Sequence, residues 1–324
     1  MSIRGSIIAT NNLRSLLVSA GIGLLGACSH APERPASSIL TIGAAFTPEF
    51  TIRDMAGAGR VVPLRISFPA RNHARTLPIV IFSHGAYSSK DDYTPITDYW
   101  AAAGFLVIAA THIDSTTRGQ VRGMPTPPNA YTERLADVQL IIARLDEIEA
   151  RVPALRGRLA KDRIAVTGHS FGGLIAENFG GLLATNPANH ASLDMRDARV
   201  RAVIAFSGVG ELPPLVTRAH FATLSKPMLV TVGTQDLGMG PSRSGYELRR
   251  EPYDIAPPGD KYLLVLDGAD HYLGGMVCRD DIPKSPRGAE YVQAFNDAST
   301  LFLRAYLQDD ATALSTLSTK LPHR

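Results

Sequence analysis

Cysteine is scarce in this chain of 324 residues, with only Cys28 and Cys278 present, so a disulfide-stapled scaffold is excluded. Runs of one charge are also missing. The formal net charge is +3 with both signs spread along the chain, and no Lys/Arg cluster forms a face for nucleic acid. No apolar stretch reaches the ~20 residues that span a bilayer. No set of His, Asp and Glu recurs at metal-ligand spacing, so neither a metal nor a cofactor is expected. Internal repeats are absent, and nothing reads as a linker between two globular units.

What is present begins with an unusual N-terminus. Arg4 and Arg14 precede an apolar stretch from Ser15 to Ala27, about 13 residues and within the range of a signal-peptide core. It ends Leu25-Gly26-Ala27-Cys28, small residues before a cysteine, as at a processing site. The expectation is a signal segment over 1–27 and a flexible tether over 28–47, where Pro32, Pro35, Ser37 and Ser38 lie. A single globular domain is expected over 48–310 and a tail over 311–324. Cys278 is then left as a buried free thiol.

From Phe50 onward, apolar runs alternate with amphipathic ones. Phe50–Asp54 and Val61–Phe68 suggest an antiparallel pair hinged near Gly57. Leu77–Ser83, Phe105–Ala110, Arg163–Thr167, Val200–Phe206, Met228–Val232 and Tyr262–Leu266 are short continuous apolar runs, the pattern of strands covered on both faces. Between them, Leu135, Val138, Ile142, Leu145 and Val152 mark one face of a helix. Further helices are expected over 98–103, with Trp100 in the core, over Phe171–Ala184 and over Tyr291–Leu307. The alternation predicts an α/β fold with a mostly parallel sheet and helices on both faces.

The run Arg163–Thr167 leads into Gly168-His169-Ser170-Phe171-Gly172. This is G-x-S-x-G at a strand-to-helix junction, where a tight turn lifts a serine hydroxyl clear of the sheet. A serine needs a base, and the base needs an orienting carboxylate. In chain order Ser–acid–His, the base is His271, just past the last core strand. The acid is Asp236, in the loop after Met228–Val232. Asp267 and Asp270 flank His271 so closely that a loop-shaping role fits them better. The oxyanion hole is expected from the Phe171 N–H and the Ala86 N–H, the latter in Ser83-His84-Gly85-Ala86 after the Leu77–Ser83 strand. His84 is expected to brace that loop, Tyr87 to border the substrate, and His112 and Asp114 to be rim or structural residues.

These segments resemble the α/β-hydrolase superfamily from about residue 50 to 308. F-S-H-G at 82–85 and G-H-S-F-G-G at 168–173 are similar to a branch that holds platelet-activating-factor acetylhydrolase-like, cutinase-like and predicted dienelactone hydrolases. Leu25–Cys28 resembles the lipobox of bacterial lipoproteins, which implies a lipid on Cys28. Ser29 after it implies the outer membrane, facing the periplasm; secretion is the alternative.

Only about 18 residues separate Ser207 from Lys226, too few for a large helical cap, and Leu237–Pro258 is expected as a modest flap. The reading is a serine carboxylesterase acting on small or polymeric esters. An amide hydrolase with the same residues and a non-enzymatic binder of apolar ligands stay open. Oligomeric state is not legible.

Overall fold

The computed structural model describes residues 39–42, 51–53, 59–69, 76–237 and 245–324. Of the signal segment expected over 1–27 and the flexible tether expected over 28–47, only Ile39–Ile42 lies among them, and it is a strand rather than a tether. Cys28 lies outside them. Eight strands make the central sheet: β1 Ile39–Ile42, β2 Leu64–Pro69, β3 Leu77–Ser83, β4 Leu106–Ala110, β5 Leu159–His169, β6 Val200–Phe206, β7 Met228–Gly233 and β8 Lys261–Leu266. Their spatial order is β1-β2-β4-β3-β5-β6-β7-β8. β2 runs antiparallel to β1 and β4, and all pairs from β4 to β8 are parallel.

Every residue of β3 is buried, because both faces of a central parallel strand are covered by helices. One face carries α2 (Ala130–Ala143), α3 (Leu145–Arg151), α4 (Phe171–Phe179) and α5 (Gly245–Ile255). Leu135, Val138, Ile148, Leu174, Phe179 and Tyr253 pack there on Ile79, Val166 and Val230. The other face carries α1 (Thr94–Ala102), α6 (Gly288–Leu307) and α7 (Ala311–Lys320). Trp100, Phe295, Phe302 and Leu317 cover Val80, Ile204 and Leu229. Each such side chain, fully buried, contributes about 1.5–3 kcal/mol relative to exposure. Trp100 is fully buried, and its indole N–H donates to Ser299 Oγ at 2.9 Å.

Several expectations change at element edges. Thr51–Arg53 pairs with Gly59–Val61, not with the longer run. The chain then breaks at Val62-Pro63, and β2 joins the main sheet. The hinge around Gly57 lies outside the described residues. The helix expected through Val152 is two helices parted at Arg144, whose φ/ψ of −107/19 is not helical. α4 stops at Phe179 rather than Ala184, where Gly180 and Gly181 follow. The flap expected over Leu237–Pro258 contains α5, which packs Tyr253 and Ile255 onto the core. Residues 311–324 form α7 and then return to the sheet, with Arg324 N–H donating to Lys261 O at 2.9 Å.

Candidate active site

β5 ends at His169 and α4 begins at Phe171, leaving Ser170 alone in the turn with φ 54 and ψ −117. A side-chain-bearing residue holds such a backbone only where its surroundings impose it. The impositions are visible. A Cβ at Gly168 would run into Gly172 O, and one at Gly172 into Ser83 O, so the turn closes only with glycine at both places. Ser170 N–H donates to Phe206 O at 2.9 Å, and Ser170 O accepts from Gly173 N–H at 2.9 Å. The Ser170 side chain remains half-buried, and its hydroxyl makes no hydrogen bond among the described residues.

The loops after β7 and β8 are tied together. Thr234 N–H donates to Leu266 O at 3.1 Å and Gln235 N–H to Ala269 O at 2.9 Å. This brings Asp236 and His271 together: His271 Nδ1–H donates to Asp236 Oδ2 at 3.0 Å. Asp267 accepts from Thr234 Oγ1 at 3.2 Å, and Asp270 from Tyr272 and Gly274 N–H at 3.0 and 2.7 Å. Both therefore brace the loop. The Asp236 side chain is sealed, while the His271 side chain is 17% exposed. Burial pushes Asp236 up, but the His271 hydrogen bond and the charges of His271 and Arg249 outweigh it and hold the carboxyl below its usual range. Burial is also the largest influence on His271. Together with the Arg249 charge, it carries the imidazole below 6.5 against the pull of Asp236.

A buried chain of hydrogen bonds links the 83–86 loop, the serine turn and the histidine loop. Gly85 N–H donates to Tyr93 Oη at 2.9 Å. Tyr93 O–H donates to His169 Nδ1 at 2.7 Å, and His169 Nε2–H to His271 O at 2.8 Å. Burial first, then the nearby His271, keeps His169 neutral, which this pattern of one acceptor and one donor nitrogen requires.

A second network lies under the oxyanion loop. Arg134 on α2 makes a bidentate pair with Asp114, Nε to Oδ1 at 2.8 Å and Nη2 to Oδ2 at 2.7 Å. It also donates to the carbonyls of His84 and Gly85, and its guanidinium lies 4.7 Å over the Phe171 ring. Burial pushes Asp114 up, but Arg134 outweighs it and holds the carboxyl down to about 2. His84 Nε2 accepts from His112 N–H at 2.9 Å and its Nδ1–H donates to Gly85 O at 2.6 Å, so it braces the loop from within. His112 sits between Asp137, at 2.7 Å from Nδ1, and Ser83 Oγ, at 2.9 Å from Nε2. His112 and Asp114 are thus fully buried and do not line the rim.

Ala86 follows this braced segment, and its N–H finds no acceptor among the described residues. Phe171 N–H is the first of α4, where helical geometry supplies no acceptor. Tyr87 has a positive φ of 66, and its hydroxyl donates to Met124 O at 2.6 Å. It forms a wall with the 115–124 loop. Cys278 is a free buried thiol, raised by burial. No group of three or more His, Cys, Asp or Glu among the described residues could hold a metal ion.

Tyr93, Arg134 and Arg249 escape sequence reasoning. Arg134 leaves a faint signal, a charge beside Leu135 on the core face of α2. His169 sits inside the motif, at a position the motif leaves open. Glu177, two turns past Ser170 on α4, is fully buried. Neither of its carboxyl oxygens has a partner among the described residues, and burial drives it up to about 8.

The family model for platelet-activating factor acetylhydrolase, isoform II, matches residues 59–122, which contain β2, β3, α1, β4 and the 83–86 loop. A crystal structure from Klebsiella pneumoniae subsp. pneumoniae MGH 78578 carries a provisional dienelactone hydrolase assignment. It superposes with a TM-score of 0.50 at 18% identity, over 84% of this chain and 100% of that one. No curated protein matches. In all, 1173 chains of solved structures match, so the architecture by itself selects no substrate. The likeness to the Klebsiella protein is one of architecture: this chain has the α/β-hydrolase fold.

Proposed function

We propose that the protein is a serine hydrolase that cleaves carboxylic esters through an acyl-enzyme, with Ser170 as nucleophile, His271 as base and Asp236 as orienting acid. The observation that carries the reading is the 3.0 Å contact between His271 Nδ1 and the sealed Asp236 carboxylate, with the His271 carbonyl held at 2.8 Å by His169, the residue before the strained Ser170. Asp236 fixes the proton on Nδ1, which leaves Nε2 to take the proton of Ser170 as Oγ attacks the ester carbonyl. The growing oxyanion is met by the Ala86 and Phe171 N–H groups, preset donors that need no reorganisation. His271 then protonates the departing alcohol, and water resolves the acyl-enzyme by the reverse route.

The surroundings of the site favour apolar esters that need not be enclosed. Between β6 and β7 the chain makes only a bridge between Leu212 and Val216 and a short 3₁₀ turn over Arg218–Thr223. Val121 and Met124, in the loop that holds Tyr87, are 63% and 56% exposed, and Leu237, next to Asp236, is 79% exposed. Such side chains present apolar surface to a bulky acyl group.

The test is hydrolysis of p-nitrophenyl esters and matched anilides by the purified chain and by Ser170→Ala. Loss of ester turnover in the variant is expected, and turnover retained by it would refute the assignment. Since burial and the Arg249 charge lower the imidazole from its ordinary 6.5, the acid limb of kcat/KM should fall below that value. Attachment to a bacterial envelope through Cys28 belongs to the same reading, on the strength of Leu25–Cys28. Cys28→Ser should move the protein from the membrane fraction to the soluble one; unchanged sedimentation would remove the anchor.

A further inference from the structure

Asp236 has two oxygens, and only one of them serves His271. The other, Oδ1, lies 2.6 Å from Arg249 Nε, with the two side chains 0% and 8% exposed. The contact is an ion pair without hydrogen-bond alignment, since neither atom has a hydrogen-bond partner by direction. The guanidinium is anchored elsewhere: Nη1 donates to Ser207 O at 3.0 Å and to Gly208 O at 2.7 Å. Those carbonyls follow β6, whereas Asp236 follows β7 and Arg249 belongs to α5. The positive charge is therefore clamped by backbone and stands beside Oδ1 whatever the protonation state of His271.

We propose that Arg249 is a positioning residue for the Asp236–His271 pair, which it serves by offsetting the carboxylate charge that the imidazole senses. This rests on the hydrolase reading above. A bare carboxylate against His271 would favour the imidazolium and leave less neutral base in mildly acidic medium. With Arg249 on the opposite oxygen, Asp236 still orients Nδ1–H but attracts the proton less. The base then remains free at lower pH.

The other groups facing the ring are few. His169 from β5 lies with its ring 4.5 Å from that of His271 and is kept neutral by burial. Tyr272, in the same loop, stands edge-on at 5.0 Å. Asp270, also in that loop, adds a negative charge that favours the imidazolium. Among these neighbours, Arg249 supplies the opposing positive charge.

The experiment is an NMR titration of His271 in the full chain and in Arg249→Gln and Arg249→Lys, with the resonance assigned by its loss in His271→Gln. Kinetic pH profiles of kcat/KM run alongside. Arg249→Gln keeps donors for Ser207 and Gly208 but removes the charge. Its His271 midpoint should rise by about one pH unit, carrying the acid limb with it. Arg249→Lys should keep the midpoint near that of the unchanged chain.

An unmoved midpoint in Arg249→Gln overturns the proposal, as does an equal rise in both variants. Failure of Arg249→Lys to fold would make Arg249 a structural brace and overturn it too. So would a His271 midpoint above 6.5 in the unchanged chain. Ester turnover by Ser170→Ala would refute the hydrolase reading instead, whatever the titrations give.

Discussion

On the oxyanion side of Ser170, Arg134, Asp114, His84, His112 and Asp137 are all sealed from solvent. On the acid–base side, Asp236 is sealed but the His271 side chain is 17% exposed, and one contact of its partner is an unaligned ion pair. The first network holds its groups in matched, directional pairs, Arg134 with Asp114 and His112 with Asp137. Its product is a fixed backbone, with the carbonyls of His84 and Gly85 held by Arg134. In the proposed mechanism the second must gain and lose a proton in every cycle, and its histidine side chain keeps an open edge. Desolvated charges serve geometry when locked, and chemistry when their balance is adjustable.

The comparison can be broken or sharpened by substitution. The largest effect is expected from Asp236→Asn on the open side. It should lower kcat by about 10⁴-fold through loss of the correct tautomer, so that turnover is the main readout. Substitution in the sealed network should act the other way. Arg134→Met leaves Asp114 buried and unpaired, which costs about 3–5 kcal/mol of stability as read from urea midpoints. Equal midpoints for this variant and the unchanged chain would erase the distinction between the two sides.

Glu177 offers a third probe, of a carboxyl that burial alone governs. Its folded-state pKa of about 8 exceeds the ordinary 4.5, so the folded chain binds that proton more tightly than the unfolded one. Its contribution to stability is whole below 4.5 and is lost as pH rises towards 8. Glu177→Gln should therefore match the unchanged chain at pH 4. At pH 7 it should exceed it by on the order of 3 kcal/mol, measured by chemical denaturation at both pH values. A constant difference across that window would mean that Glu177 is already ionised. The smallest effect belongs to the bond chain between the two sides. Tyr93→Phe removes the hydroxyl between Gly85 and His169 and should cost about 1 kcal/mol of stability. A several-fold loss in kcat/KM should accompany it, and an unchanged kcat/KM would detach the chain of bonds from function.

Legibility in the sequence followed the range of the interactions. The core strands were readable because a parallel strand covered on both faces needs an unbroken apolar run, as at Leu77–Ser83. The serine turn was readable because steric closure demands glycine at 168 and 172. Element ends were less so. Arg144 breaks a helix whose apolar spacing continues through it, and α5 arises in a segment expected to be a flap. The tail that returns to pair with Lys261 is set by a partner far away in the chain.

The sequence by itself determined the alternation of buried strands and amphipathic helices, and the local turn that presents Ser170, because both depend on neighbours within a few residues. Only the tertiary structure decided which charges stand beside which: Arg134 with Asp114 and the oxyanion loop, Arg249 with Asp236, and Tyr93 with His169. Those pairs join separate elements across the sheet edge. No periodicity records such contacts, since a buried cation fits any helix position whose partner the fold happens to bring within reach.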